Sequence, residues 1–251
     1  MRLSSRIAII LGLIIGGRAV SADAQTLAQG GRITLSVSAG LQPTSTTFSG
    51  TATNSVYLEN AVTTTAYEVE SAPVFEGGVA FRLAEKFGVG AIVSSLTSSR
   101  DTDVSATIPH PFFFNSPRTI TGTAAGLERK EVATHVQALY ALYTGTRLDV
   151  TVSGGPSIFK ITQDVVSNVT FQEAYPYDSA TFGSAVSTAK SKTGVGFNLG
   201  ADLTVRVARH VGVGGLVRYS RASVDLPTEA ASPLEVDAGG VQIAGGIRVF
   251  F

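Results

Sequence analysis

From Gly194 to Val207 the chain alternates without a break. Val195, Phe197, Leu199, Ala201, Leu203, Val205 and Val207 fall on one side, and Gly194, Gly196, Asn198, Gly200, Asp202, Thr204 and Arg206 on the other. A period of two makes a β-strand with one apolar face; a helix would bring its apolar residues round every three or four positions. The same alternation returns near Arg32–Gln42, Tyr67–Leu83, Phe87–Thr97, Arg129–Tyr143, Leu148–Gln163, Val211–Ala222 and Gly239–Phe251. With the Thr193–Val207 segment these make eight strands, and no helical periodicity lies between them. A single all-β domain is expected, either a sandwich or a barrel.

The connections fall into two kinds. Ala84–Lys86, Thr144–Arg147 and Ala208–His210 are tight turns, whereas Pro43–Ala66, Ser98–Glu128, Asp164–Lys192 and Ser223–Ala238 are long. Alternate connections of a meander lie at the same end, so one end is trimmed and the other elaborated, as in outer-membrane barrels. A soluble barrel would turn its Val, Ile and Leu inward and show water a Lys, Glu and Thr surface. Here the polar face is small residues with isolated charges: Gly78, Ala80 and Arg82; Gly212, Gly214 and Arg218; Gly246 and Arg248. Such a face suits the narrow lumen of an eight-stranded barrel. The expected fold is therefore an eight-stranded antiparallel up-and-down transmembrane β-barrel, or ten strands if a long loop hides a hairpin.

The N-terminus has the order of a secretory signal peptide: Arg2 and Arg6, an apolar run from Ile7 to Gly17, then small residues at Ala22–Gln25. The run is too short to span a membrane as a helix, which needs about 20 residues. Residues 1–24 are expected to be removed, leaving residues 25–251 as the barrel domain. That part carries 16 basic and 18 acidic residues, a balance that does not suggest a nucleic-acid partner. The absence of cysteine excludes disulfides, thiolate metal sites and attachment by a lipidated cysteine.

Together the signal-peptide pattern, the eight alternating strands and the terminal Phe251 resemble the OmpA-type outer-membrane β-barrel family, including its short OmpX-like members. The resemblance implies export to the outer membrane, membrane lipid as the surrounding partner, and insertion by the barrel-assembly machinery. It further implies that Phe251, Val249 and Ile247, with Ile243 and Val241, form the assembly signal. With the strands running to Phe251, neither a peptidoglycan-binding domain after the barrel nor a wall-anchoring role is expected.

By strand parity Glu68, Glu70, Glu76, Glu131, Asp149 and Asp202 point into the lumen, as do Arg82, His135, Arg206, Arg218 and Arg248. A charge network of Glu76, Arg82, Glu131, His135, Asp149, Asp202, Arg206, Arg218 and Arg248 is expected to block ions. Arg218 is its hub, with Asp202 as its diagonal neighbour. The glycines of Gly194–Gly200 lie inside a strand, where a dinucleotide loop would need a turn into a helix. His110, His135 and His210 are far apart, and no assembled nucleophile and base can be read, so no catalytic, metal or cofactor site is expected. Phe112, Phe113, Phe114, Tyr175 and Tyr177 form an aromatic patch in the long loops. It is expected to clasp loop against loop, the alternative being an adhesive or ligand-contacting surface. The function expected is non-catalytic, structural or surface-interacting through an unidentified extracellular partner; a small passive pore is the alternative, and an outer-membrane hydrolase a more distant one.

Overall fold

The computed structural model describes residues 32–43, 45–227 and 234–251; the signal-peptide expectation lies outside them. Ten strands follow one another: β1 (Ile33–Gln42), β2 (Thr46–Val56), β3 (Glu59–Val69), β4 (Ala72–Arg82), β5 (Phe87–Ile108), β6 (Arg118–Thr144), β7 (Leu148–Glu173), β8 (Ala180–Ala208), β9 (Val211–Leu226) and β10 (Leu234–Phe250). Eight of them close an antiparallel ring in the order β1–β4–β5–β6–β7–β8–β9–β10, and β10 returns to β1. The last residue takes part in this closure. Phe251 N–H donates to Ile33 O at 2.9 Å, and Ile33 N–H donates to Phe251 O at 3.1 Å.

β2 and β3 are the hairpin hidden in the first long connection, and they leave the count of the ring at eight. They prolong β1 and β4 outward and turn at Tyr57 and Leu58, both at positive φ. β3 then pairs with the far end of β5, where Val62 faces Thr107. The other long connections are likewise strand over most of their length. Beyond the β2–β3 turn, residues 109–117 and 174–179 separate the strands at the elaborated end among the described residues. Extending the ladder pairs much of the backbone there, which an irregular loop of that length would not; β2 keeps one open edge, since it pairs only with β3.

The expected strands stop short because the apolar face changes sides. On β9 the outward residues are Val211, Val213, Val217 and Tyr219, followed by Arg221, Ser223 and Asp225; the inward ones are Gly212, Gly214, Arg218 and Ser220, followed by Ala222, Val224 and Leu226. β5 shows the same inversion. Phe87, Val89 and Val93 face out and Gly88, Gly90 and Ser94 face in; farther along, Asp103 and Ser105 face out and Val104, Ala106 and Ile108 are buried inside. The lower storey is built for lipid. Its apolar exterior on β9 spans nine residues, Val211–Tyr219, which is roughly 30 Å of strand and about 23 Å of depth once tilted by ~40°. Aromatic pairs mark its two edges, Phe87–Tyr140 at the short-turn end and Phe197–Tyr219 at the other, as in the aromatic girdles of membrane barrels.

The upper storey is built for water. Tyr67, Phe159, Ile161, Val165, Leu226 and Val236 belong to one dry cluster inside it, and the Tyr67 hydroxyl accepts a hydrogen bond from Val166 N–H at 2.8 Å. Parity also slips at Glu70–Ser71, between β3 and β4: Tyr67 and Ala72 are both buried although five residues apart. Glu68 and Glu70 therefore lie outside, against the expectation that they point inward, and Glu70 pairs with Arg100 on the turret surface at 2.8 Å.

Candidate functional site

The lumen of the lower storey is cross-linked in layers. Nearest the short turns, Arg206 Nε donates to Asp149 Oδ2 at 2.8 Å, and the same guanidinium lies over the inward Phe250 ring at 4.9 Å. Arg248 donates to Asp202 Oδ2 at 2.6 Å and to Ser38 Oγ at 2.8 Å. Above it, Arg218 Nη1 donates to Glu76 Oε2 at 2.7 Å, and Gln242 Nε2 donates to Gln42 Oε1 at 2.9 Å. Next to the turret, Glu131 lies 3.4 Å from Arg129 and accepts the Gly239 N–H at 2.9 Å. Arg82 lines the short-turn end of the lumen and has no ion-pair partner among the described residues.

The pairing differs from the expected one. The register sets Gly200 opposite Arg218 and Asp202 opposite Leu216, which keeps Asp202 and Arg218 diagonal. Yet Asp202 pairs with Arg248, and Arg218 reaches across to Glu76 on β4. Glycine on the strand between explains the first choice: a Cβ at Gly214 would come within 3.3 Å of Arg248 Cζ, so its absence leaves Arg248 a path over β9 to Asp202. The glycines of the Gly194–Gly200 run are packing positions too, for a Cβ at Gly196 would stand 2.0 Å from Arg221 O.

One contact was not legible in the sequence. His135 Nδ1 lies 2.8 Å from Ser157 Oγ, and Asn198 Nδ2 donates to the same hydroxyl at 2.8 Å. A serine beside a histidine is the start of a nucleophile and base. Here both side chains are completely enclosed, with Phe159 edge-on to the imidazole and Ser94 on its other nitrogen. Closed off from solvent, they form with Asn198 a hydrogen-bonded cross-link inside the lumen. His210 is remote, its Nδ1 set 3.0 Å from Phe250 O near the β8–β9 turn.

At the far end, the β2–β3, β5–β6 and β7–β8 tips meet around Arg118. Its guanidinium lies 2.6 Å from Glu173 Oε2 and donates to Tyr177 O at 2.9 Å and to Pro109 O at 2.7 Å. The Tyr57 hydroxyl donates to the other oxygen of Glu173. His110 Nδ1 accepts the Phe112 N–H at 3.1 Å and the Phe113 N–H at 3.3 Å, fixing the Phe112–Phe114 loop from beneath. Burial would push the Glu173 carboxyl up, but the Tyr57 hydroxyl and Arg118 outweigh it and hold it below the usual carboxylate range. The hydrogen bond to Glu173 pushes the Tyr57 phenol up.

This clasp is mainly polar, and the expected aromatic packing of loop against loop is reduced to Phe112 against Tyr177, with ring centroids 5.4 Å apart. Phe112, Phe113, Phe114 and Tyr175 face outward beside Leu58, with exposures from 64% at Phe113 to 92% at Leu58. Tyr177 alone is the inner aromatic, edge-on to Phe112 and to Tyr175. The interior beneath is already filled by Ile108, Ile120 and Val169, so the rings have no core to enter.

No family model and no curated protein matches the sequence. Among solved structures the chain is similar to neisserial surface protein A (NspA), at 10% identity over 87% of this chain and 96% of that one, TM-score 0.46. It is similar to the Escherichia coli outer membrane protease OmpT at 8% identity, over 87% and 96%, TM-score 0.44. It is also similar to the Yersinia pestis attachment invasion locus protein Ail, solved with the heparin analogue sucrose octasulfate, at 10% identity over 86% and 99%, TM-score 0.37.

Proposed function

We propose that this chain is a non-catalytic surface-interaction protein of the outer membrane that holds an aromatic apex away from the lipid on a rigid turret. The observation carrying this reading is the contrast within the apex: Arg118 is buried and paired with the half-buried Glu173, while Leu58, Phe112, Phe113, Phe114 and Tyr175 face water. Clustered exposed apolar groups on a fixed frame are the mark of a contact surface. The buried arginine is spent on Glu173, and Glu59 and Asp178 are the nearby unburied charges. A polyanion such as the one bound by Ail is therefore not the favoured ligand; a protein or sugar surface that stacks on rings is.

Export by a cleaved signal peptide and insertion by the barrel-assembly machinery belong to the same proposal. It is supported by the outward, lipid-level placement of Ile247 and Phe251 on the strand that closes the ring. A pore role is disfavoured by the dry turret core above the ion-pair layers. The test is attachment of cells displaying the protein to arrayed glycans and matrix proteins. Replacing Phe112, Phe113 and Phe114 by Ser should abolish attachment while the folded barrel persists on gels; undiminished attachment, or none by the unaltered protein, overturns the reading.

A further inference from the structure

Below the Glu76–Arg218 pair the lumen is not filled. A cavity of about 160 Å³ extends from that layer to Arg82 and Lys86 beside the β4–β5 turn. Glu76 and Arg82 are six residues apart on β4, so the space is elongated, roughly 20 Å along the strand. A single water needs only ~10–15 Å³ of such volume, so the cavity has room for on the order of ten, or for a molecule the size of a benzoate.

Its two walls differ in kind. On the β4–β6 side Ala80, Gly90, Ile92, Leu139 and Ala141 present small apolar groups. The opposite wall carries Asp149, Asp202 and Arg248, each already held in an ion pair. Arg82 at the rim has no such partner among the described residues, and Lys86 adds a second positive charge at the mouth. At the roof, Arg218 is 2% exposed and its Nε has no hydrogen-bond partner. Glu76 and Arg218 stand over the space toward the turret, and Arg82 and Lys86 stand at its short-turn end.

We propose that this vestibule binds a small amphiphilic anion, an apolar body of aromatic-ring size bearing a carboxylate, entering from the short-turn side. The ring lies on the Ile92–Leu139 wall, where burial of apolar surface favours it. The carboxylate pairs with Arg82, whose planar fork matches it in two hydrogen bonds. A neutral molecule would leave Arg82 without a counter-charge, and a cation would be repelled at the mouth by Lys86. The site is independent of the apex and of any partner bound there.

The test uses the refolded barrel in lipid nanodiscs, titrated with 4-fluorobenzoate and followed by fluorine NMR against empty nanodiscs. Saturable binding is expected, with 4-fluorobenzamide weaker by about ten-fold because it lacks the charge. Arg82→Gln should weaken 4-fluorobenzoate by a similar factor, about 1.4 kcal/mol. Ala80→Leu, which fills the apolar wall and leaves the ion pairs alone, should abolish binding. Absence of saturation up to about 10 mM, a concentration that would reveal even very weak sites, overturns the proposal. So does equal binding of the amide, or a titration unmoved by both variants. Should Ala80→Leu fail to fold, the amide and Arg82→Gln decide alone.

Discussion

Arg218 on β9 and Glu76 on β4 form an ion pair across the barrel, 2.7 Å long, with side chains only 2% and 3% exposed. Two charges so enclosed are tolerable only together, since either alone would be an uncompensated ion in a desolvated place. Arg218→Ala should therefore destabilise the barrel by about 3–5 kcal/mol, read as a lower urea midpoint for loss of the folded band. Replacing both residues together, Arg218→Met with Glu76→Leu, should recover most of that loss. A double variant as weak as the single one would mean that the pair contributes attraction beyond its own desolvation.

The same layer bears on conduction. If the ion pairs alone sealed the barrel, Arg218→Ala would open a path from end to end. The turret core lies above them, with Phe159 and Ile161 wholly buried. In planar bilayers the unaltered protein should show no steady conductance, and Arg218→Ala should show little more. A large stable current in the unaltered protein would promote the pore reading.

Strand number and the lipid-facing surface were legible because the lower storey alternates strongly, as in Val195 to Val207 against Gly194 to Arg206. The upper storey was not. Over Thr102–Ile108 its outward residues are Asp103, Ser105 and Thr107 and its inward ones Thr102, Val104, Ala106 and Ile108, so the contrast between faces is weak and inverted. Where β8 is exposed on both faces, at Ser187–Ala189 and Ser191–Thr193, there is no alternation to read. Ion-pair partners were legible only in part. Parity put Glu76 and Arg218 inside, but their meeting depends on a register summed around the ring, over a separation of 142 residues.

Ring closure gives Phe251 a measurable role. Its backbone makes two hydrogen bonds with Ile33, and its ring is exposed at the lipid level. Deleting Phe251 should lower the yield of membrane-inserted, heat-modifiable protein well below that from deleting Ser116 at the β5–β6 tip. Equal yields would remove the assembly role of the last residue.

The inversion of faces sets where a charge is tolerated. Leu203 faces outward in the lipid zone of β8, and Thr123 faces outward on the turret part of β6. Leu203→Arg should cost about 2–4 kcal/mol, the range for a cation at the bilayer midplane of a membrane barrel. Thr123→Arg should stay within about 0.5 kcal/mol, as for an ordinary surface change. Similar costs at both sites would place the lipid boundary elsewhere.

The apex clasp should have a plateau of stability in pH with an edge on each side. Glu173 is held below the usual carboxylate range by Tyr57 and Arg118, against the opposing pull of burial. A depressed carboxyl stabilises the folded form above its unfolded pKa, about 4.3, and that contribution is lost as pH falls through the lower folded value. Tyr57 is shifted the other way, upward, by its hydrogen bond to Glu173. Its contribution is present below the unfolded phenol pKa, about 10, and is lost as pH rises through the folded one. The chain contains no tryptophan, so Tyr175→Trp supplies a single reporter beside the clasp. Its emission anisotropy should be flat from roughly pH 5 to 9 and should fall below about pH 4 as the tips separate. Glu173→Gln in the same background should remove that acid step, because the group that titrates is gone. An acid step of unchanged size in Glu173→Gln would assign it to another carboxyl and dissolve the link between the ion pair and the display of the rings.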